Sequence, residues 1–245
     1  DTAWFYHGGK SESVMGEILS AYPRDSFYLA SKFPGLDIKN LEKIEEIFEE
    51  QLRRCRVDHF DFYLFHALNR NSYQKHKNCN TFEIVNQLKQ EGKIKHIALS
   101  FHDSADILDM ILTEQPQVEA VQLQINYLDY DDPGVQSKKC YDVVMKYGKK
   151  VLVMEPVKGG TLVNLPDEAA KKLSALTDGS QASFAIRYAA SFPEVVMVLS
   201  GMGNMDMMND NISTMRDFVP LSNEEMDATE DLRQTIRRVR QIQCT

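Results

Sequence analysis

Residues 60–66 read FDFYLFH and residues 95–100 read KHIALS. Each is a nearly continuous apolar run, long enough for a strand and too short for a helix of its own. Runs of this kind fit strands buried on both faces, which are parallel strands. Working outward, the same element recurs as SFYLASK at 26–32, VEAVQLQIN at 118–126, KVLVMEP at 150–156 and EVVMVLS at 194–200. Helical periods lie between. Leu41, Ile44, Ile47, Phe48, Leu52 and Cys55 share one face at three- and four-residue spacing, with Glu, Gln and Arg assigned to the other. Ile107, Leu108, Ile111 and Leu112 repeat the pattern, as do Ala185, Ile186 and Ala189. Asp103 reads as an N-cap, and Gly92 and Gly148 as helix ends. The segment 222–241 opens with SNEE, a capping-box pattern, and turns basic at Arg233, Arg237, Arg238 and Arg240, as suits a helix C-terminus.

Strand ends therefore fall near residues 1, 32, 66, 100, 126, 156 and 200, most of them one βα unit apart. No GxGxxG follows any strand, so the doubly wound dinucleotide fold lacks its fingerprint. Steady βα repetition predicts an α/β fold, a (β/α)8 TIM barrel, whose first strand, first helix and most of the second strand are missing from this chain. The barrel is expected over 1–221, incomplete at its N-terminal side, with a C-terminal helix over 222–245.

The chain has 245 residues with 28 basic and 36 acidic side chains, a net charge of −8. At 43% hydrophobic residues it is too apolar for disorder. The acidic balance argues against nucleic-acid and membrane-surface partners. No apolar run approaches the roughly 18–20 residues of a membrane span. Cys55, Cys79, Cys140 and Cys244 stand far apart with no CxxC among them, which fits a reducing, cytoplasmic setting. The opening DTAWFYHGG lacks a Met, and the chain stops at Cys244-Thr245 straight after a charged helix, so both ends read as cut.

In a βα barrel the chemistry sits at the C-terminal ends of the strands. Those ends give Asp1, Lys32, His66, Ser100, Gln124 with Asn126, and Glu155, and Tyr6 lies on the first loop. Singly, a strand-end lysine is more often solvated and a strand-end histidine more often packed. Around one mouth they form a proton-transfer set. An ammonium favours phenolate over phenol, a carboxylate keeps that ammonium charged, and an imidazole can hold a carbonyl oxygen. Trp4 reads equally as a pocket wall or a packed anchor. The polar stretch NRNSYQKHKNCN (69–80) reads as a loop walling the pocket, and His76 with Cys79 is too small a set for a metal.

DTAWFYHGGKSE, ASKF, DFYLFH, HIALS, AVQLQINYLD, MEPVKGGTL and VLSGMGNMDMMNDNIS together resemble the aldo-keto reductase family over essentially the whole chain. The resemblance implies transfer of a hydride between NADP or NAD and a small carbonyl or alcohol substrate. Asp1, Tyr6, Lys32 and His66 match the catalytic tetrad, with Tyr6 as general acid and base. Ser100 and Gln122 match the residues at the nicotinamide amide. Phe101 stands where the family places an amide side chain, and Met154 where it places an aromatic. Pro156, Lys158 and Gly160 belong to the pyrophosphate loop. Gly201, Asp210 and Asn211 lie in the last cofactor segment, 200–211, which carries no Lys or Arg for a 2′-phosphate. Met202, Met205, Met207 and Met208 read as helix core for at least two of the four. The final helix running into IQCT resembles members that append a ferredoxin-like module, with Cys244 the first ligand of a 4Fe-4S cluster whose other ligands are absent. Two alternatives stay open: a nucleotide-binding barrel serving as a sensor or partner subunit, and an electron-transfer enzyme coupled to the cluster. Assembly state is not readable from the sequence.

Overall fold

The computed structural model of the protein describes residues 1–240. Six strands alternate with helices: β1 Ala30–Phe33, β2 Phe60–Leu68, β3 Ile94–Phe101, β4 Ala120–Gln124, β5 Lys150–Met154 and β6 Val195–Val198. Their order in the sheet is their order in the chain, and the pairs β1–β2, β2–β3, β3–β4 and β5–β6 are all parallel. All six expected strands are present. The first begins later than its sequence suggests: the Leu29 N–H donates to the buried side-chain carboxylate of Asp61 on β2 (2.8 Å) and not to a backbone carbonyl of that strand. The chain divides into two compact units, residues 1–122 with 142–150, and residues 123–141 with 151 onward.

The first unit holds α1 Ser11–Leu19, α2 Ile38–Leu41, α3 Ile44–Cys55, α4 Arg70–Asn78, α5 Thr81–Gln90 and α6 Ala105–Glu114 around β1 to β3 and the start of β4. The apolar run of β2 is buried on both faces, as parallel pairing requires: Phe60, Tyr63, Leu64 and Phe65 are all lost to solvent. Tyr63 meets Phe48 of α3 edge-on at 4.9 Å, and Phe65 stacks on Phe82 of α5 at 4.0 Å.

Three expectations fail in this unit. Gln51 belongs to the buried face of α3, between Phe48 and Cys55, and not to the outer face. The stretch 69–80 is not a loop. Asn69 caps α4 by accepting from the Asn71 and Ser72 N–H groups, and Ser72 returns a bond to the Asn69 N–H. His76 is buried there among Phe33, Phe65 and Phe82. The N-cap of α6 is Ser104, while Asp103 accepts from the Ser104 and Arg70 N–H groups. Gly92 and Gly148 do lie just past α5 and past α7 (Ser137–Lys146), both with positive φ.

The second unit holds α8 Asp167–Ser174, α9 Gln181–Ala190, α10 Met205–Arg216 and α11 Asn223–Arg240 with β5 and β6. Tyr127 meets Phe184 and Tyr188 edge-on at 5.9 Å, anchoring α9. The capping box of α11 forms as expected: the Glu225 N–H donates to Ser222 Oγ (3.1 Å) and the Ser222 N–H to Glu225 Oε2 (2.8 Å). Arg233 of α11 pairs with Asp131 and Glu230, and Arg237 donates to the Leu128 carbonyl (2.9 Å). The methionine expectation is overturned. Met202, Met205, Met207 and Met208 are all exposed, and α10 buries no residue fully. A helical apolar stripe locates a face but not whether a neighbour covers it.

Candidate active site

In the first unit the chain before α1 turns tightly. The Tyr6 N–H donates to the Ala3 carbonyl (3.1 Å), and the Tyr6 carbonyl accepts from Gly9 (3.1 Å) and Ser11 (3.3 Å). His7, Gly8 and Gly9 all have positive φ, a sequence of dihedrals that the two glycines make accessible. This turn holds Tyr6 half-exposed above the end of β1. Trp4 is half-buried under Arg54, whose guanidinium carbon lies 3.7 Å from its ring centroid, so it serves as an anchor.

Lys32 of β1 is buried. Its ammonium donates to both Asp1 carboxylate oxygens (2.7 and 2.6 Å) and to the Thr2 carbonyl (3.0 Å). Nζ also lies 4.7 Å from the centroid of the Tyr6 ring. A buried ammonium needs such partners, because withdrawing it from water costs several kcal/mol. Burial lowers the Lys32 pKa, and Tyr6 and Glu12 oppose that shift.

His66 lies near the end of β2, where the register slips. Phe65 pairs with Leu99 and Leu68 with Phe101, so His66 and Ala67 together face the single residue Ser100. Ala67 takes a positive φ of 51° to accommodate the extra residue. The His66 ring meets Tyr6 edge-on at 5.8 Å. Its Nδ1 is buried without a hydrogen-bond partner, and burial, reinforced by Lys32 and His102, brings its pKa down to about 4. It is therefore neutral at pH 7. With no acceptor facing Nδ1, the proton belongs on Nε2.

Ser100 and Gln122 are register partners across β3 and β4, and both are buried. Gln122 Oε1 has no hydrogen-bond partner, an orphaned acceptor that a ligand amide would satisfy. Phe101 closes β3 buried in the core. Asp1, Tyr6, Lys32 and His66 are thus brought into one contiguous set, and Ser100 and Gln122 stand side by side in the same unit.

Three buried polar residues in this unit, Glu12, Ser31 and Gln51, escaped the sequence reading. Glu12 accepts from Ser31 Oγ (2.7 Å), Gln51 Nε2 (2.5 Å) and Arg54 (3.3 Å). Gln51 also donates to the Lys32 carbonyl (3.1 Å) and accepts from the Tyr63 hydroxyl (2.7 Å). The available signal was a lone polar residue, Gln51, falling in phase with the apolar face of α3.

In the second unit, Met154 ends β5 half-buried and Pro156 is buried. Lys158 opens a 3-10 segment, Lys158–Val163, in which Gly159 and Gly160 have positive φ. Its ammonium meets both oxygens of the Asp129 carboxylate at 2.7 and 2.6 Å, and Asp129 also accepts from Gln124 (2.7 Å) and Asn126 (3.1 Å). Gly201 is exposed before α10. Asp210 accepts from Ser180 Oγ (2.7 Å), and Asn211 donates to Ser200 Oγ (2.7 Å). Cys244 lies outside the described residues. Among the described residues, no group of three or more His, Cys, Asp or Glu could hold a metal ion, and no helix is long and apolar enough to cross a membrane.

The sequence profile of the aldo/keto reductase family matches residues 1–234. The chain is 26% identical over 179 residues to the NADH-specific methylglyoxal reductase of Escherichia coli K12, a match covering 66% of the chain and 53% of that enzyme. The chain thus spans about half the length of that curated relative. Among solved structures, the holo form of aldo-keto reductase AKR11C1 from Bacillus halodurans has a TM-score of 0.76 at 23% identity, over 95% of this chain and 81% of that one. An aldo/keto reductase from Klebsiella pneumoniae in complex with NADP and acetate has a TM-score of 0.74 at 20% identity, over 95% and 78%. These likenesses establish a shared fold.

Proposed function

The chain belongs to the aldo/keto reductase family, and from that premise we propose that it reduces a small carbonyl compound with a nicotinamide cofactor, with Tyr6 as the general acid. The observation that carries the proposal is the unbroken contact series Asp1–Lys32–Tyr6–His66. The orphaned Oε1 of Gln122 fits the cofactor, because a carboxamide N–H would give it the partner it lacks. Ser100 and Gln122 would hold that amide. When bound, the cofactor supplies the hydride that adds to the carbonyl carbon.

The chain's own residues supply the rest. Tyr6 donates its phenolic proton to the carbonyl oxygen as that oxygen gains charge, and becomes a phenolate. Lys32 sits beside it as a fixed positive charge, and Asp1 keeps Lys32 charged and in place. Neutral His66 donates from Nε2 to the same oxygen. In the reverse direction the Tyr6 phenolate takes the alcohol proton. Tyr6→Phe should lower kcat by about 10²-fold or more with an unchanged circular dichroism spectrum. A Phe variant as fast as wild type would refute Tyr6 as the acid.

Methylglyoxal, named for the E. coli relative, is the first substrate to try, within a panel of small aldehydes and ketones. Residues 200–211 contain no Lys or Arg but do contain Asp206 and Asp210, so the proposal favours NADH over NADPH. In the second unit, Lys158 and the glycines beside it are proposed to meet phosphate, Lys158 by exchanging Asp129 for it. Met154, Pro156, Gly201 and Asn211 complete the proposed cofactor residues, and a cytoplasmic location belongs to the same proposal. Phe101 and Met154 depart from the family pattern, which favours a second reading: a barrel that binds the nucleotide without turnover. Calorimetric binding of NADH with no reduction of any panel member would establish that reading.

Cys244 is proposed as one ligand of a 4Fe-4S cluster. A cluster needs four ligands, and among the described residues no group of three could join Cys244, so no step of the carbonyl chemistry runs through it. Anaerobic reconstitution of the full-length protein should produce the broad visible absorbance of a cluster. A colourless product would remove this part of the proposal.

A further inference from the structure

Behind Lys32 lies a second anion. Glu12 is fully buried in the first turn of α1, and its carboxylate holds Ser31, the residue before Lys32, and Gln51, which in turn holds the Lys32 carbonyl. Gln51 Nε2 also lies 3.0 Å from Ser31 Oγ, closing the cluster into a ring of contacts. Tyr63 of β2 completes it by donating to Gln51 Oε1. A polar cluster with no access to water is expensive unless every member is satisfied, and here each side chain has a partner. Gln51 and Ser31 occupy positions on α3 and β1 that would otherwise be apolar core.

We infer that Glu12 is a positioning residue for Lys32: through Ser31 and Gln51 its carboxylate fixes β1 at residues 31 and 32, and it supplies a second negative charge beside the ammonium. The inference rests on the reading of Lys32 as the charge beside the acid. It concerns a residue that touches neither substrate nor cofactor. The charged and titratable groups that face Lys32 come from three elements. Asp1 and Tyr6 come from the chain before α1, Glu12 from α1 and His66 from β2. Arg54 of α3 faces Glu12 from behind. The neighbouring Cys55 thiol, pushed by burial up to about 12, and the Tyr63 phenol, raised by burial well above its ordinary value, stay uncharged at neutral pH. Asp1 and Glu12 are thus the two anions in this surround.

The test is to titrate Lys32 directly, by NMR of the protein carrying ε-13C-labelled lysine, with the Lys32 signal assigned by its loss in Lys32→Met. In Glu12→Gln, which keeps size and hydrogen-bonding capacity but not charge, Lys32 should titrate about one pH unit lower, the low end of the effect of a nearby charge. The basic limb of the kcat profile for carbonyl reduction should move down with it, and kcat should fall about tenfold at a near-constant KM. Glu12→Asp withdraws the charge by one methylene and should shift the titration in the same direction by less. Where Glu12→Gln does not fold, Glu12→Asp carries the test alone. An unmoved Lys32 titration in the folded variant, whatever its melting temperature, would overturn the inference. The NMR titration needs no turnover, so a Tyr6→Phe enzyme of wild-type rate would end the general-acid reading and leave this result standing.

Discussion

Lys32 in the first unit and Lys158 in the second each meet both oxygens of one carboxylate at 2.6–2.7 Å. Around those contacts everything differs. Lys32 sits on a strand, is sealed from water, and has a backbone carbonyl as its third acceptor and a second anion behind it. Lys158 sits at the start of a 3-10 segment with positive φ at Lys158, Gly159 and Gly160, and its side chain keeps 34% of its exposure. The first pair is locked, since breaking it strands a charge in low dielectric. The second is exchangeable, since water or a phosphate oxygen can replace Asp129, and Asp129 would keep Gln124 and Asn126. The same contact geometry serves a permanent charge in one place and a transferable one in the other.

The strongest way to break this comparison is Lys32→Met. It should lower kcat by about 10³-fold. It should also destabilise the chain toward the lower end of about 3–5 kcal/mol, because Asp1 keeps some contact with water. Steady-state kinetics and a urea melt check both, and a fully active variant would dissolve the distinction.

A second difference between the units is acid sensitivity. All six histidines, His7 to His102, belong to the first unit. Burial holds His66 and His76 down to about 4. An unfolded imidazole titrates near 6.5, so between those values the unfolded chain binds protons that the folded chain does not. Their contribution to stability is therefore complete above about pH 6.5 and is lost as the pH falls toward 4. Amide exchange near pH 5 should open the first unit before the second. Reduction should show no limb from His66 between pH 5 and 7.

The smaller effects fall on the second unit. NADH should exceed NADPH in kcat/KM by about tenfold or more, since a 2′-phosphate finds no basic side chain in 200–211. Lys158→Met should weaken cofactor binding severalfold in calorimetry. It should cost about 1–3 kcal/mol in a urea melt, because the Asp129 carboxylate is buried and keeps Gln124 and Asn126 as donors when Lys158 is removed. A large loss of stability would show the second pair to be as locked as the first.

The strands and the candidate residues at their ends were readable because both signals are local: an apolar run of strand length, and a polar residue closing it. Lys32 and His66 announce themselves in that way. Glu12 does not, because its meaning depends on Ser31 and Gln51, distant in sequence and polar where the period predicts apolar. The helix α4 was hidden for a related reason. Of its buried residues Ser72, Tyr73 and His76 only Tyr73 carries a large apolar side chain, too little to declare a period, and its cap uses Asn69 with Ser72 in place of the usual acidic partner. The methionines of α10 mislead in the other direction: spacing marks a stripe, and only the folded neighbours decide whether it is covered.

The slip in β2 has a bearing on how this strand can change. Side chains along a strand alternate between its faces, so one extra residue reverses the parity of everything beyond it. Deleting Ala67 would leave His66 alone opposite Ser100, a regular ladder with Leu68 still on Phe101, and would remove the extra residue that re-aims His66, while an insertion upstream would exchange the inward and outward sets. The strand therefore keeps this slip only while two residues stand between Phe65 and Leu68 against the single Ser100. Ala67 holds that count with a dihedral that L-residues adopt at a cost of about 1–2 kcal/mol and glycine adopts freely. Ala67→Gly is thus the substitution that keeps the count and relieves the backbone, whereas a β-branched residue is strained at this dihedral and a proline is excluded from it.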